Sequence, residues 1–209
     1  MKKVMPNAKT LTAGVIVVSL GVLAPVAGHA ADPPPTPDLS QMVLQPSDFA
    51  STVVTSEGYQ TGGDYVASYQ REFGPSTRPG ATYLDVMSEV DLQTDAATAT
   101  GNFVVLEALL HSGKVRTMIL AELGKQHIRK KNVRIAKVQE LAVGDGAAVL
   151  PMKIRVLGVW IAVDLVFVHR DRVDGTLLLL GRGIKVAEVN ALTAAMVAHI
   201  DAGLAPASG

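Results

Sequence analysis

The chain has 209 residues, no cysteine, and 19 acidic residues against 19 lysines and arginines. The absence of cysteine excludes disulfides, thiol catalysis and a lipoprotein, whose lipid is attached to a cysteine. The charges are segregated: acidic residues outnumber basic ones 11 to 2 in residues 31–113, and basic residues outnumber acidic ones 14 to 8 in residues 114–209. We expect the two halves to pair within one fold, and the alternative is a polar surface with two faces of opposite charge.

The N-terminus has the layout of a secretory signal peptide. Residues 1–30 combine lysines, an uncharged apolar run and the small residues Gly28 and Ala30. We expect cleavage after Ala30, which makes the mature protein secreted or extracytoplasmic. An uncleaved anchor helix is the alternative, but the apolar run is short and contains Pro25.

One domain is expected behind this segment. Residues 31–37 are proline-rich and predict a disordered linker. Residues 38–205 have the length of a single domain that needs no disulfides. The domain begins with a short helix capped by Asp38, and residues 50–63, rich in Ser, Thr and Gly, predict a loop.

Two strands with alternating apolar and polar residues follow, at 64–73 and 82–93. In the first, two tyrosines and Phe73 share a face with Arg71. In the second, three carboxylates stand opposite a face of leucines and valines: Asp85, Glu89 and Asp91.

The remaining elements predict helices around a β-meander. Apolar residues at three- and four-residue steps predict helices at 94–112 and 186–203, and a further helix that ends at Gly124. Between them, residues 147–181 predict three strands, at 147–157, 159–169 and 173–181. The fold class is therefore α+β, a mainly antiparallel twisted sheet of about six strands flanked by helices.

The stretch HRDRVDG begins at His169 with three letters of the protein-kinase catalytic loop. A kinase requires an asparagine five residues after the aspartate, where this chain has Thr176. The glycine-rich loop and the Asp-Phe-Gly motif are also missing. Because strands are predicted on both sides, the stretch is interpreted as the tip of a β-hairpin.

A ligand-binding patch is predicted at Tyr65, Tyr69 and Arg71. The rings could contact an apolar or glycan-type ligand while Arg71 holds an anionic group. The alternative is that these rings close the core, because aromatic side chains carry a large apolar area.

The carboxylates of the second strand suggest a different function. Neighbours at i and i+2 are about 7 Å apart, a spacing that suits an inverting glycosidase. Asp85, Glu89 and Asp91 are therefore candidates for a hydrolase, and the alternative is a solvated outer strand face. Another carboxylate, Asp164, lies in an apolar strand, where we expect it to pair with Lys153 or Arg155.

Metal, cofactor and nucleic-acid sites are not expected. No two histidines beyond residue 30 are three to five residues apart, a spacing that metal ligands on one helix commonly have. The basic run at 129–137 has no interleaved aromatic residues, so it predicts a solvated loop or a contact with anionic wall polymer or lipid headgroups.

Four segments together resemble a known family. The stretches DLSQMVLQPSDF, YVASYQREF, SEVDLQTDAATATGNF and VGDGAAVL resemble secreted actinobacterial-type proteins with a PsbP-like α/β sandwich. That group includes cell-envelope lipoproteins and extracellular sensor domains of kinases. The resemblance implies a binding or accessory module, although this chain lacks the lipidation cysteine and the disulfide.

The sequence therefore predicts an exported, non-enzymatic binding or accessory domain of the cell envelope. Its partner would be an apolar or glycan-type ligand, or another protein. A hydrolase that uses the acidic strand face is the alternative function.

Overall fold

A computed structural model describes residues 37–49, 52–61, 63–75 and 83–205. The predicted signal peptide and all but the last residue of the predicted linker lie outside the described residues. Within the described ranges, no helix has both the length and the apolar character that a membrane span requires.

The fold is α+β, as predicted. Its helices and strands are β1 Val54–Gln60, β2 Ala67–Phe73, β3 Tyr83–Leu92, α1 Ala96–His111, α2 Lys114–Lys125, β4 Val133–Ile135, β5 Gln139–Glu140, β6 Gly146–Val156, β7 Val159–Arg170, β8 Val173–Gly181 and α3 Val186–Leu204. The strands form one antiparallel sheet in the order β1-β2-β3-β8-β7-β6-β4, and β5 pairs with β6.

Within the described ranges, the sheet has eight strands rather than about six. β1 lies inside residues 50–63, for which a loop was predicted. Most of its residues are exposed, on both faces of the strand, so the sequence shows no alternation of apolar and polar side chains. β4 and β5 are three and two residues long, too short to give a periodic pattern.

The HRD stretch forms the predicted hairpin tip. Asp171 and Arg172 make the turn between β7 and β8, with Asp171 at φ 53°. The tip is held against the loop that precedes β6. The Asp171 backbone N–H and the Arg170 guanidinium both donate to the Asp145 carboxylate in that loop, each at 2.7 Å. Arg170 also pairs with Asp201 at the end of α3.

One face of the sheet, here the α3 face, packs against α3 and the N-terminal segment (residues 37–49). Asp38 caps a short 3-10 helix at Leu39–Gln41 by accepting a hydrogen bond from the Ser40 backbone. The apolar residues that fill this layer are buried together: Leu39, Met42, Val43, Leu44, Phe73, Val86, Val90, Leu92, Leu177, Leu179, Met196 and Ile200.

The opposite face, here the α1 face, is apolar where the two middle helices cover it. α1 packs on β6, β7 and β8. The buried side chains of this second core come from α1, α2 and these three strands: Leu110, Val115, Ile119, Leu123, Leu150, Met152, Val163, Leu165 and Leu178. On β3, the same face of the sheet is acidic.

Candidate functional site

Two residues of the predicted ligand patch are buried and hydrogen-bonded within the protein. The Arg71 guanidinium pairs with Glu57 Oε2 at 2.6 Å and donates to the Leu44 carbonyl at 3.1 Å and to Gln45 Oε1 at 2.8 Å. The Tyr69 hydroxyl donates to the same Glu57 oxygen at 3.0 Å. The hydrogen bonds from Arg71 and Tyr69 lower the pKa of Glu57. Arg71 therefore fastens the N-terminal segment to the sheet.

The third residue of that patch stands apart from the strand. Tyr65 precedes the first residue of β2 and is half-buried. The ring of Tyr59 on β1 is exposed, and it packs edge-on against Tyr69 at a centroid distance of 5.1 Å. Ligand binding at Tyr65, Tyr69 and Arg71 stays a prediction.

The three carboxylates of β3 form a partly buried surface, here called the acidic face (Asp85, Glu89 and Asp91). They alternate with the buried Val86, Val90 and Leu92, and each is half-buried rather than solvated. A Ser68 hydroxyl on β2 donates weakly to Glu89, at 3.4 Å. Asp91 Oδ1 is buried and has no hydrogen-bond partner among the described residues.

Burial shifts the titration of all three carboxyls upward. It raises the pKa of Asp85 to about 6, with a contribution from the neighbouring Glu72. It raises the pKa of Glu89 to about 7, with a contribution from Asp91. The pKa of Asp91 is raised for the same reason. The ionised form is disfavoured because the charge has lost water without gaining a cation.

No cation in the described part of the chain neutralises the acidic face. No lysine or arginine there lies within 4.0 Å of Asp85, Glu89 or Asp91. The expected pairing between the acidic and basic halves also fails for these residues. Among the described residues, the contacts within 4.0 Å that join a carboxylate of one half to a basic side chain of the other each involve a histidine, His111 with Glu140 and His199 with Asp48.

Beside the acidic face lies a row of side chains joined by hydrogen bonds, here called the hydrogen-bonded row (Gln93, Asp174, His169 and Thr100). Asp91 is paired in register with Asp174 on β8, which is paired with His169 on β7. His169 Nδ1 lies 3.2 Å from Asp174 Oδ1, and Gln93 Nε2 donates to Asp174 Oδ2 at 3.1 Å. Burial raises the pKa of Asp174, and the charge of His169 opposes the shift.

His169 also anchors α1. Its Nε2 lies 3.1 Å from the Thr100 hydroxyl, and its ring stacks on Phe103 at a centroid distance of 5.6 Å. The Phe103 ring occupies the space above Gly146, where an added Cβ would come within 2.5 Å of it. Phe103 therefore packs on the sheet, against a histidine and a glycine.

The chain from Thr100 through His169 to Asp174 has the hydroxyl–imidazole–carboxylate order of a hydrolase triad. Thr100, however, is the fifth residue of α1, so its own N–H and the following ones are used within the helix. They cannot stabilise an oxyanion beside the hydroxyl. The arrangement fits a support for α1 better than a nucleophile.

Asp164 lies on the α3 face and is nearly buried. Burial raises its pKa to about 6, and the positive charge of Lys153 opposes the shift, so this predicted partner acts at a distance. The other predicted partner, Arg155, donates to the Gly158 carbonyl at 3.1 Å.

Sequence reasoning identified the three β3 carboxylates but missed the row beyond them. Thr100, His169 and Asp174 come from three separate elements, and only the fold brings them together. The available signal was one polar residue near the end of each of two largely apolar strands, His169 on β7 and Asp174 on β8.

No family model matches the chain, and no curated protein is similar to it. Among solved structures, the extracellular domain of PknH from Mycobacterium tuberculosis is similar over 78% of this chain and 94% of that chain, with a TM-score of 0.51 and 10% identity. A protein of unknown function from Pseudomonas aeruginosa, PA94, matches over 77% of this chain and 100% of that chain, with a TM-score of 0.34 and 13% identity. The similarity to the PknH domain extends to the α/β fold.

Proposed function

We propose that this protein is an extracytoplasmic, non-enzymatic binding domain that holds a basic segment of a partner protein on its acidic face. One observation carries the proposal: Asp85, Glu89 and Asp91 are half-buried on one strand with no lysine or arginine beside them in the described residues. Desolvated carboxylates without counter-ions cost folding free energy. A ligand that supplies the cations would recover part of that cost.

The spacing of the carboxylates suits an extended peptide. Alternate residues of a β-strand are about 7 Å apart, and so are alternate side chains of an extended ligand. Glu89 and Asp91 could each receive an ammonium or guanidinium group, and the unpartnered Asp91 Oδ1 is an available acceptor. Opposite charge on the two partners would also speed their association.

Two features support the proposed extracytoplasmic location: the N-terminal sequence and the fold. The signal-peptide layout of residues 1–30 supports export, with cleavage after Ala30. The PsbP-like resemblance supports a binding or accessory role in the cell envelope. The extracellular domain of PknH has a similar fold and is a precedent for this location.

The geometry favours binding over hydrolysis. An inverting glycosidase keeps one carboxylate protonated as the acid and a second one ionised as the base. Here burial shifts the pKa of all three carboxyls upward, and no lysine or arginine in the described residues lies beside one of them to hold it ionised as the base.

A binding titration tests the proposal, with a decalysine peptide as the probe at low ionic strength. We expect Glu89→Gln to weaken binding at least fivefold, since it removes one charge from the acidic face. Glu122→Gln is the matched control, because it removes a carboxylate on α2 that already pairs with Lys125. Binding should strengthen from pH 5 to pH 8 as the carboxylates ionise.

Three outcomes would contradict the proposal. These are an equal loss in both variants, a dissociation constant no tighter than about 1 mM, and affinity that does not change with pH. If an apolar or glycan ligand bound instead and Tyr65→Ala abolished its binding, the predicted patch at Tyr65, Tyr69 and Arg71 would be the site.

A further inference from the structure

A second group of ionisable side chains lies at the far end of α1. Glu107 and His111 are four residues apart on α1 and therefore project from the same side of the helix. Glu140 lies on β5, which pairs with β6. One ligand atom from each of the three residues falls within 4.8 Å of the others. An imidazole and two carboxylates from two elements thus converge at one point.

The distances suit a shared ion better than a direct hydrogen bond. His111 Nε2 and Glu140 Oε1 are 3.9 Å apart, beyond the ~2.7–3.2 Å of a hydrogen bond. A tetrahedral zinc ion with bonds of about 2.0–2.2 Å holds neighbouring ligand atoms about 3.4 Å apart. The His111 and Glu140 side chains are 51% and 73% exposed, so they are free to rotate toward a shared ion.

We propose that Glu107, His111 and Glu140 form a binding site for a divalent transition-metal ion, with Zn²⁺ as the best fit. One nitrogen and two carboxylate oxygens match the ligand preferences of zinc. Three protein ligands leave a coordination position for water or for a side chain of a partner. The bound ion would tie β5 to the C-terminal end of α1.

The expectation that the chain has no metal site rested on the spacing of histidines alone. That criterion overlooks a glutamate and a histidine four residues apart on a helix, which is the spacing of Glu107 and His111. The third ligand follows 29 residues after His111 in the sequence, and only the pairing of β5 with β6 brings it near.

The site is tested by calorimetric titration of ZnCl₂ into the full chain, purified without a polyhistidine tag and stripped with chelator. We expect one Zn²⁺ per chain, with affinity at least tenfold lower in His111→Ala and in Glu140→Gln. His127→Asn is the control, because it removes an exposed histidine outside the cluster, and asparagine tolerates the positive φ of that position. Its affinity should match that of the parent chain.

A second measurement separates ligation from a change in folding. Co²⁺ should give visible absorption bands in the parent chain and in His127→Asn, and the bands should be lost in His111→Ala while circular dichroism stays unchanged. The proposal is overturned if the parent chain binds Zn²⁺ no more tightly than about 1 mM. It is also overturned if His127→Asn loses as much affinity as His111→Ala.

Discussion

The two faces of β3 belong to one strand and have opposite environments. On the α3 face, Val86, Val90 and Leu92 are buried completely, or to within 1%, beneath α3 and the N-terminal segment. On the α1 face, the alternating carboxylates are half-buried, and none has a lysine or arginine beside it in the described residues. The first face stabilises the fold, while the second lowers its stability whenever the carboxyls ionise.

The difference teaches that alternation along a strand indicates which side chains share a face, but not how exposed to solvent that face is. Neighbouring strands β2 and β8 partly bury the acidic face from either side. A face that looks like a solvated surface in the sequence can therefore carry carboxyl groups with raised pKa values, and such groups mark candidate binding sites.

The largest expected effect lies on the α3 face. Phe73 is fully buried on β2 and packs against Phe49 at a centroid distance of 4.7 Å. Phe73→Ala should lower the free energy of unfolding by about 3–5 kcal/mol, because it leaves a cavity in the core. Denaturant unfolding measures this loss. A loss below about 1 kcal/mol would mean that the α3 face does not stabilise the fold in the way we describe.

The next effect lies where the hydrogen-bonded row meets α1. His169→Ala should cost about 2–3 kcal/mol, since it leaves the half-buried Asp174 and the Thr100 hydroxyl without their shared partner. Thr100→Val removes one hydrogen bond from an exposed side and should cost about 1 kcal/mol or less. If unfolding experiments reverse this order, His169 does not anchor the helix.

A stabilising change is expected on the acidic face. Because the pKa of Glu89 is raised from its ordinary value near 4.5 to about 7, its contribution to stability is full below pH 4.5 and is lost as pH rises through 7. Glu89→Gln should therefore raise the free energy of unfolding at pH 8 by about 1–2 kcal/mol, a value reduced for partial solvent screening. At pH 4 the variant and the parent chain should be equal. A variant that is less stable at pH 8 would contradict the assignment.

The smallest effect is expected at the hairpin tip, beyond both faces. Asp171 has a positive φ of 53°, which glycine accepts without strain. Its contact with Asp145 is made through the backbone N–H, which glycine also has. Asp171→Gly should change stability by about 0.5 kcal/mol or less. A thermal unfolding scan that shows a larger loss would assign the side chain a role we do not give it.

Local patterns predicted much of the fold. The meander strands at 159–169 and 173–181 agree with β7 and β8 to within one residue, because apolar runs and a turn mark both of them. The helix at 186–203 agrees equally well with α3. β1 was not predicted because an exposed edge strand buries too few side chains to require an alternation of apolar and polar residues.

The candidate site was predicted only in part. Period-2 alternation placed Asp85, Glu89 and Asp91 on one face, and the structure agrees. Their burial, and the absence of a cation beside them in the part of the chain that the structure describes, depend on which strands become neighbours, which local sequence does not specify. The ion pair between Arg71 and Glu57 also depends on strand pairing, because Glu57 lies on β1, the strand that was not predicted from the sequence.

The central claim is that the acidic face is desolvated and has no lysine or arginine beside it in the described residues, and a carboxyl titration tests it most directly. Carbon-13 NMR of the side-chain carboxyls of the purified protein, assigned through Asp85→Asn and Glu89→Gln, would follow each group from pH 3 to pH 9. We expect midpoints of about 7 for Glu89 and about 6 for Asp85, and both should fall when a decalysine peptide is added. Midpoints near 4 for both groups in the free protein would show a solvated or already neutralised surface and would contradict the account.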